Sequence, residues 1–283
     1  MSLSKREEII KRSLVIPEII MPNSSLMKTL CELENSEIAS THYKVHKLEK
    51  EEAISRVKNF FDSNFKLHSV LTSKEFKVCG KSLLFIHPTN PYKIPLTYID
   101  SKDIFTGSLY EYFPKDSDKI IFQTIYLNRI ITELTSATYV HELTHTQIDS
   151  LSGCLSNYYD AELLSIFLEL VHSHSIDQTE NLLRINDSRR ILEMLTVSER
   201  LLSTPRTQEE ILFEDFKYLN SGLKAYNLFY LYYYGTTELK KEILDSVNEV
   251  FKGNITLEDL LKKYEITYEN SQDEKKLKKY FYR

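Results

Sequence analysis

Apolar and polar residues recur with a helical period along most of the chain. From residue 129 almost to the C-terminus, apolar side chains return every three or four positions, which is typical of amphipathic helices. The predicted helices cover 50–71, 157–176, 186–202, 208–220, the very aromatic 223–234, and 238–252 ended by Gly253. A short helix is expected to follow Thr256 as N-cap, and another to begin near Leu26 after a capping turn.

The part between 76 and 127 has a different pattern. Short apolar runs separated by prolines and polar residues predict brief strands in 76–100. Residues 109–113 and 120–127 then read as a hairpin that lies directly before a long helix. An edge strand there can pair with an extended peptide, although a small structural sheet explains the same pattern equally well.

Composition agrees with a mainly helical protein. The 283 residues include only 6 Gly and 7 Pro, too few for many hairpins. Apolar residues make up 42%, enough for a sizeable core. The predicted fold class is therefore mainly α with a small β-sheet beside one helix (α+β).

Charge and cysteine content exclude several classes of partner. The net charge of −5, without a block of Lys or Arg, argues against nucleic acid. No stretch approaches the ~20 apolar residues of a membrane span, and the N-terminus is a poor signal peptide. Three cysteines in no metal-binding spacing suit a reducing compartment. We expect a cytoplasmic protein with no membrane partner.

Three segments are expected along the chain. Residues 1–42 form an N-terminal helical segment, 43–268 hold the chemistry, and 269–283 form a charged tail that frays. The chemistry centres on His141-Glu142-Leu143-Thr144-His145. On a helix, His141 and His145 project from one face and can hold one Zn²⁺, while Glu142 lies beside the metal as a general base for an activated water. Two solvated surface histidines are the alternative.

A catalytic zinc site needs a third protein ligand and an open position. The candidates downstream are Asp149, Asp160, Glu162, Glu169, His172 and His174. A loop at 150–157 would reverse the chain and place Glu162 inside the next helix, about one turn from its start. Asp160 is better read as a helix-start residue or a partner for an imidazole N–H, and Glu169 as a possible brace for a ligand histidine.

Four stretches resemble the thimet oligopeptidase and oligoendopeptidase F family of zinc metallopeptidases. They are 138–145 around the metal helix, 161–169 with its Ala-Glu-x-x-Ser-x-x-x-Glu pattern, 107–114, and the tyrosine run 230–235. The resemblance implies a zincin-like catalytic domain in which His141, His145 and Glu162 hold one zinc ion. It also implies peptide-bond hydrolysis with Glu142 as base, acting on an extended peptide or protein.

The tyrosines are candidates for a further catalytic role. A phenol from Tyr226, Tyr230 or Tyr232 can donate to the oxyanion of the tetrahedral intermediate. By helical geometry, Tyr226 and Tyr230 share a face and Tyr232 points away; an aromatic core helix is the plain alternative.

The chain departs from the family in three ways. Thr144 replaces the usual Gly, and the family's His ahead of the tyrosine run has no counterpart in 221–224. The chain is also shorter than typical members, which implies a more open cleft. A non-catalytic peptide-binding relative and a zinc hydrolase of a non-peptide amide remain alternatives. An aminopeptidase is disfavoured, because no Gly-Ala-Met-Glu-Asn stretch lies upstream.

Overall fold

The computed structural model shows a mainly helical chain with two small three-stranded sheets in its first half. It describes residues 21–36, 45–65, 74–78, 81–85, 92, 94, 96–100, 107–112, 119–120, 122–152, 160, 162–176, 181–203 and 209–282. The helices are α1 (Ser24–Glu34), α2 (Lys50–Asn64), α3 (Glu133–Ser152), α4 (Leu163–Ile176), α5 (Asn181–Ser203), α6 (Glu209–Tyr234), α7 (Thr237–Phe251), α8 (Leu257–Lys263), α9 (Tyr268–Ser271) and α10 (Glu274–Phe281). The strands are β1 (Lys74–Val78), β2 (Lys81–Phe85), β3 (Leu96–Ile99), β4 (Gly107–Tyr112), β5 (Lys119–Ile120) and β6 (Phe122–Asn128). The expected mainly α architecture with a small β component is confirmed.

The chain divides into two compact units that are discontinuous in sequence. The first unit comprises Met1–Pro17, Lys47–Tyr158 and Asp245–Thr256. The second comprises Glu18–His46, Tyr159–Leu244 and Leu257–Arg283.

Aromatic residues hold helix α2 in the first unit. Phe60, Phe61 and Phe65 are all buried, and their rings meet edge-on or tilted at centroid distances of 5.3–5.9 Å. Phe251 packs edge-on against Phe65 at 5.6 Å. The predicted helix over 50–71 ends earlier, at Asn64, because Phe65 takes an extended backbone that turns its ring into this cluster.

Strand β6 is the centre of one sheet and leads directly into helix α3. It pairs parallel to β3 and antiparallel to β4, with Leu109 opposite Ile125. The predicted pairing of these two strands before a long helix is confirmed, but Ile120 is not part of it: Lys119 and Ile120 form β5, which pairs with β2 in the other sheet. Helix α3 packs against both β4 and β6, so this sheet is the support for whatever the helix carries.

Helix α3 starts immediately after β6 because local hydrogen bonds favour its first turn. The Thr132 N–H donates to the Thr135 hydroxyl at 2.9 Å, and the Thr135 N–H donates to the Thr132 carbonyl at 3.0 Å. The Thr135 hydroxyl thus takes one part of a capping box, the part usually played by Glu or Gln, and the backbone bond closes the first turn. No Gly or Pro follows, and the helix continues for 20 residues.

Three long helices, α4, α5 and α6, build the second unit. Helix α6 runs unbroken over 26 residues, so the separately predicted 208–220 and 223–234 are one helix. Gly222 lies within this helix and does not interrupt it. A Cβ at this position would lie 3.3 Å from the Met194 sulfur of α5, so the helix packs closely against α5 here. The small residue allows α5 and α6 to approach closely, which offsets its lower helix propensity.

Predicted helix ends are confirmed where the chain supplies its own caps. Helix α1 begins after Asn23, whose side chain accepts from the Leu26 N–H at 2.7 Å. Helix α7 ends two residues before Gly253, which has φ +72°, and helix α8 follows Thr256 directly.

The C-terminal residues do not fray as the charge pattern suggests. Helix α10 is strongly amphipathic and buries Leu277, Tyr280 and Phe281. The Tyr280 hydroxyl donates to Asp187 of α5 at 2.9 Å, and its ring meets Tyr226 of α6 at 5.4 Å. Charged residues occupy only the outer face of this helix, so a count of charges alone gave the wrong expectation.

Across the described residues, no helix combines the length and the apolar character needed to cross a membrane.

Replacing Tyr280 with Ala tests the role of helix α10. The side chain is 1% exposed, so Tyr280→Ala should lower the free energy of unfolding by about 3–5 kcal/mol, as measured by urea denaturation. The neighbouring Tyr282 is 56% exposed, and Tyr282→Ala should stay within about 0.5 kcal/mol of wild type. Equal effects of the two changes would show that α10 does not contribute to the core.

Candidate metal centre

Helix α3 carries the His-Glu-x-x-His sequence in a buried part of the chain. Val140 and Leu143, which flank the first histidine and the glutamate, are fully buried. His141 is 8% exposed and Glu142 is 6% exposed, while His145 is half-buried. The alternative of two solvated surface histidines is therefore wrong. The helix is packed on several faces, and its polar residues His141 and Glu142 are buried in the protein.

Thr144, which stands where the resembled family has Gly, fits this helix without strain. Its side chain is completely buried, and its hydroxyl donates to the Val140 carbonyl at 2.7 Å, one turn back. A threonine hydroxyl that bonds to its own helix leaves no unsatisfied buried donor. The departure from the family pattern is compatible with an intact α3 helix.

The two histidine rings point at one another through the same type of atom. The His141 Nε2 and His145 Nε2 atoms are 3.1 Å apart, and the ring centroids are 4.8 Å apart. Two Zn–N bonds of about 2.0–2.1 Å meeting at a tetrahedral angle place the nitrogens roughly 3.3 Å apart. The observed separation is thus close to the separation that one shared ion requires.

Glu162 completes the group. The structure brings ligand atoms of His141, His145 and Glu162 within 4.8 Å of one another, and these three residues can hold a metal ion. Glu162 is 9% exposed and directly precedes α4, with its carbonyl accepting the Ile166 N–H at 2.9 Å. Helix α4 starts at Leu163 rather than near 157, so Glu162 lies at the helix start and not one turn inside. A carboxylate is favoured there by the positive end of the helix dipole.

The donor set indicates which ions suit the group. Two imidazole nitrogens and one carboxylate oxygen are a common ligand set of catalytic zinc sites, which leave a fourth position open. Mg²⁺ and Ca²⁺ prefer oxygen ligands alone and fit two imidazoles poorly. A divalent transition metal, with zinc first, therefore matches these residues best.

The other sequence candidates for a ligand have different positions. His174 lies among aromatic rings, with centroid distances of 6.4 Å to both Phe229 and Tyr232 and 5.2 Å to Tyr233. His172 is fully buried within α4. Asp149 lies in α3, in a stretch whose side chains are outside the described part of the structure. Neither His172 nor His174 belongs to the metal group.

Glu169, the possible brace for a ligand histidine, contacts two arginines of α5. One carboxylate oxygen accepts from Arg189 and the other from Arg190, and Glu169 itself is 1% exposed. Burial alone would lower the pKa of Arg190, but the carboxylates of Glu169 and Glu193 outweigh it and raise that pKa. These ion pairs tie α4 to α5.

Tyr226 is the least suited of the three tyrosine candidates. Its side chain is 1% exposed, and its hydroxyl donates to Asp187 at 3.3 Å, which Tyr280 also contacts. Burial, with Asp187 next, raises the pKa of Tyr226 well above its usual value. The phenol is thus part of the core of the second unit.

Tyr230 and Tyr232 both keep exposed surface but face different neighbours. The Tyr230 ring lies 4.9 Å from Tyr234, with the Lys279 ammonium 5.8 Å from its centroid. The Tyr232 ring packs edge-on against Phe167 of α4 at 6.1 Å, and burial raises the pKa of its phenol. Tyr232 therefore contacts α4, the helix that begins directly after Glu162.

Two polar residues of α6, one buried and one partly buried, were missed from the sequence. Asn220 and Lys224 both donate to the Oδ1 of Asp160, at 2.9 and 2.8 Å. Asp160 therefore contacts α6, a partner that the sequence did not indicate. The available signal was a pair of hydrogen-bond donors four positions apart on a predicted helix.

Comparison with protein-family models, with characterised proteins and with solved structures finds no match to this chain.

Zinc binding can be measured through stability. With free zinc at about 100 times the dissociation constant, the free energy of unfolding should rise by about 2.7 kcal/mol, because the ion binds only the folded chain. His145→Ala and Glu162→Ala should each abolish this increase in thermal unfolding. His46 is exposed, and His46→Ala should keep it. Equal zinc stabilisation of all four proteins would place the metal elsewhere.

Proposed function

We propose that this protein is a zinc-dependent metalloendopeptidase with a zincin-like catalytic domain. The observation that carries the proposal is the group of His141, His145 and Glu162, with ligand atoms within 4.8 Å. The buried Glu142 next to the first ligand adds a base that a purely structural zinc site does not need. The resemblance of these residues to the thimet oligopeptidase and oligoendopeptidase F family supports the same reaction.

Each residue of the group has a distinct role in the proposed hydrolysis. His141, His145 and Glu162 would hold the zinc ion, which would supply Lewis acidity to a water molecule and to a scissile carbonyl. The Glu142 carboxylate accepts the proton of the attacking water and delivers it to the leaving amine nitrogen. A tyrosine hydroxyl donates a hydrogen bond to the developing oxyanion.

The sheet beside α3 supports a peptide as the substrate. In the described part of the chain, β4 is one of the two edges of the β3–β6–β4 sheet and packs against the helix that bears the histidines. An edge strand offers backbone N–H and C=O groups to an extended chain. A peptide or an extended segment of a protein is therefore the proposed substrate, and a cytoplasmic location follows from the cysteine content.

Glu142→Gln separates metal binding from catalysis. The amide cannot accept the proton of the water, so peptide cleavage should fall by about 10²–10⁴-fold, while zinc content and zinc stabilisation stay at the wild-type level. Cleavage is measured on a peptide library, with a chelator-treated sample as a blank.

Glu133→Gln is the matched control for this experiment. Glu133 lies on the same helix and contacts Arg56 at 3.5 Å, so its change should leave cleavage nearly unchanged. Full activity of Glu142→Gln would refute the assigned base. A wild-type protein that binds zinc but cleaves no peptide would point instead to a peptide-binding relative or to a hydrolase of other amides.

One tyrosine should act on the oxyanion. Tyr232→Phe is expected to lower kcat by about 10²–10³-fold with little change in KM, because the hydrogen bond forms mainly in the transition state. Tyr230→Phe and Tyr226→Phe are measured in parallel. Tyr234 donates to the Lys279 carbonyl, and Tyr234→Phe serves as control. If all variants stay within a few-fold of wild type, none of Tyr226, Tyr230 and Tyr232 takes part.

A further inference from the structure

Asp160 is a buried carboxylate that forms an ion pair with Lys224. It is 2% exposed, and its Oδ1 lies 2.8 Å from the Lys224 ammonium and 2.9 Å from the Asn220 amide nitrogen. The Lys224 side chain is also largely removed from water, with 12% of its surface exposed. A charged pair so far from solvent is retained only with good geometry and additional hydrogen bonds, and Asn220 provides one.

Both donors come from one face of one helix. Asn220 and Lys224 are four positions apart on α6, one turn above each other, and they converge on a single oxygen. Two hydrogen bonds to one atom fix the Asp160 side chain more firmly than a single contact would. The backbone at residue 160 is thereby attached to α6.

Glu162 follows only two positions later and is fixed on its other side. Its carbonyl accepts the first hydrogen bond of α4, from the Ile166 N–H. Two residues of chain span at most about 7 Å, so Glu162 cannot move far while Asp160 stays attached to α6. The short segment is held by α6 before the ligand and by α4 after it.

We propose that Asp160 is a positioning residue for the metal centre, acting with Lys224 and Asn220 to fix the carboxylate of Glu162 towards His141 and His145. This inference rests on the metal group of the proposed function. Asp160 itself does not belong to that group; it acts through the backbone that carries the ligand. Groups of this kind typically change metal affinity by about 10–100-fold when they are replaced.

A purely structural ion pair would have a different signature. Its loss would lower the stability of the whole chain but leave the zinc dissociation constant unchanged at temperatures where the protein is folded. The discriminating quantity is therefore zinc affinity, measured by competition with a chromogenic chelator well below the unfolding temperature, with unfolding followed separately.

Four variants test the proposal. Asp160→Asn and Lys224→Met should each weaken zinc binding by about 10–100-fold. Lys224→Arg keeps the charge and should retain most of the affinity. The double variant Asp160→Asn/Lys224→Met leaves no unpaired buried charge, so its stability should recover towards wild type while its zinc affinity stays low.

Asp215→Asn is the matched control. Asp215 is another buried acid, located on α6 itself, and it pairs with Arg200 at 3.3 Å. Its change should lower stability without altering the zinc dissociation constant. If Asp160→Asn does not fold, the double variant and Lys224→Met decide the question.

Two outcomes would overturn the inference, and they differ in meaning. Zinc affinity of the Asp160 and Lys224 variants within twofold of wild type would refute the positioning role and leave the metal centre intact. A wild-type protein that binds no zinc would refute the metal centre, and the positioning role with it.

Discussion

The close approach of His141 and His145 is the constraint on which the rest of the site depends. Two imidazole nitrogens 3.1 Å apart repel each other when both rings are protonated, and neutral rings can share only one hydrogen bond. A divalent cation removes this conflict because both lone pairs then point at one charge. The nearby Glu162 carboxylate adds the negative charge that such a cation requires. The arrangement is most readily understood as a set of ligands.

Around this centre, the fold uses buried polar contacts to fix short segments of chain. Thr132 and Thr135 start α3 directly after β6, Asp160 is attached to α6, and Glu169 receives two arginines of α5. Each contact involves a buried residue, so its loss would leave a buried polar group without that partner, which is costlier than losing a surface contact. Such contacts therefore determine where helices begin and how they are attached, while apolar burial supplies most of the stability.

The sequence allowed the main features of the fold to be predicted because they depend on local patterns. The period of apolar residues located the long helices, and scarcity of Gly and Pro excluded a mostly β architecture. Helix ends were predicted where a cap is encoded nearby, as at Asn23 and Gly253. Predictions were wrong where distant residues decide: α6 continues through Gly222 because Met194 packs there, and α10 stays ordered because Tyr280 reaches Asp187.

The sequence by itself determined the chemistry that is available at the site. Four-residue spacing on a helix places two imidazoles on one face whatever surrounds them, and Glu162 was a reasonable third ligand from its position alone. Only the tertiary structure decided which of the other polar residues take part. In the folded chain Asp160 accepts hydrogen bonds from Lys224 and Asn220, and Glu169 pairs with two arginines. Tyr226 is buried and donates to Asp187. The physical reason is that helical geometry is fixed over a few residues, whereas the partner of a buried charge is set by packing between segments far apart in the chain.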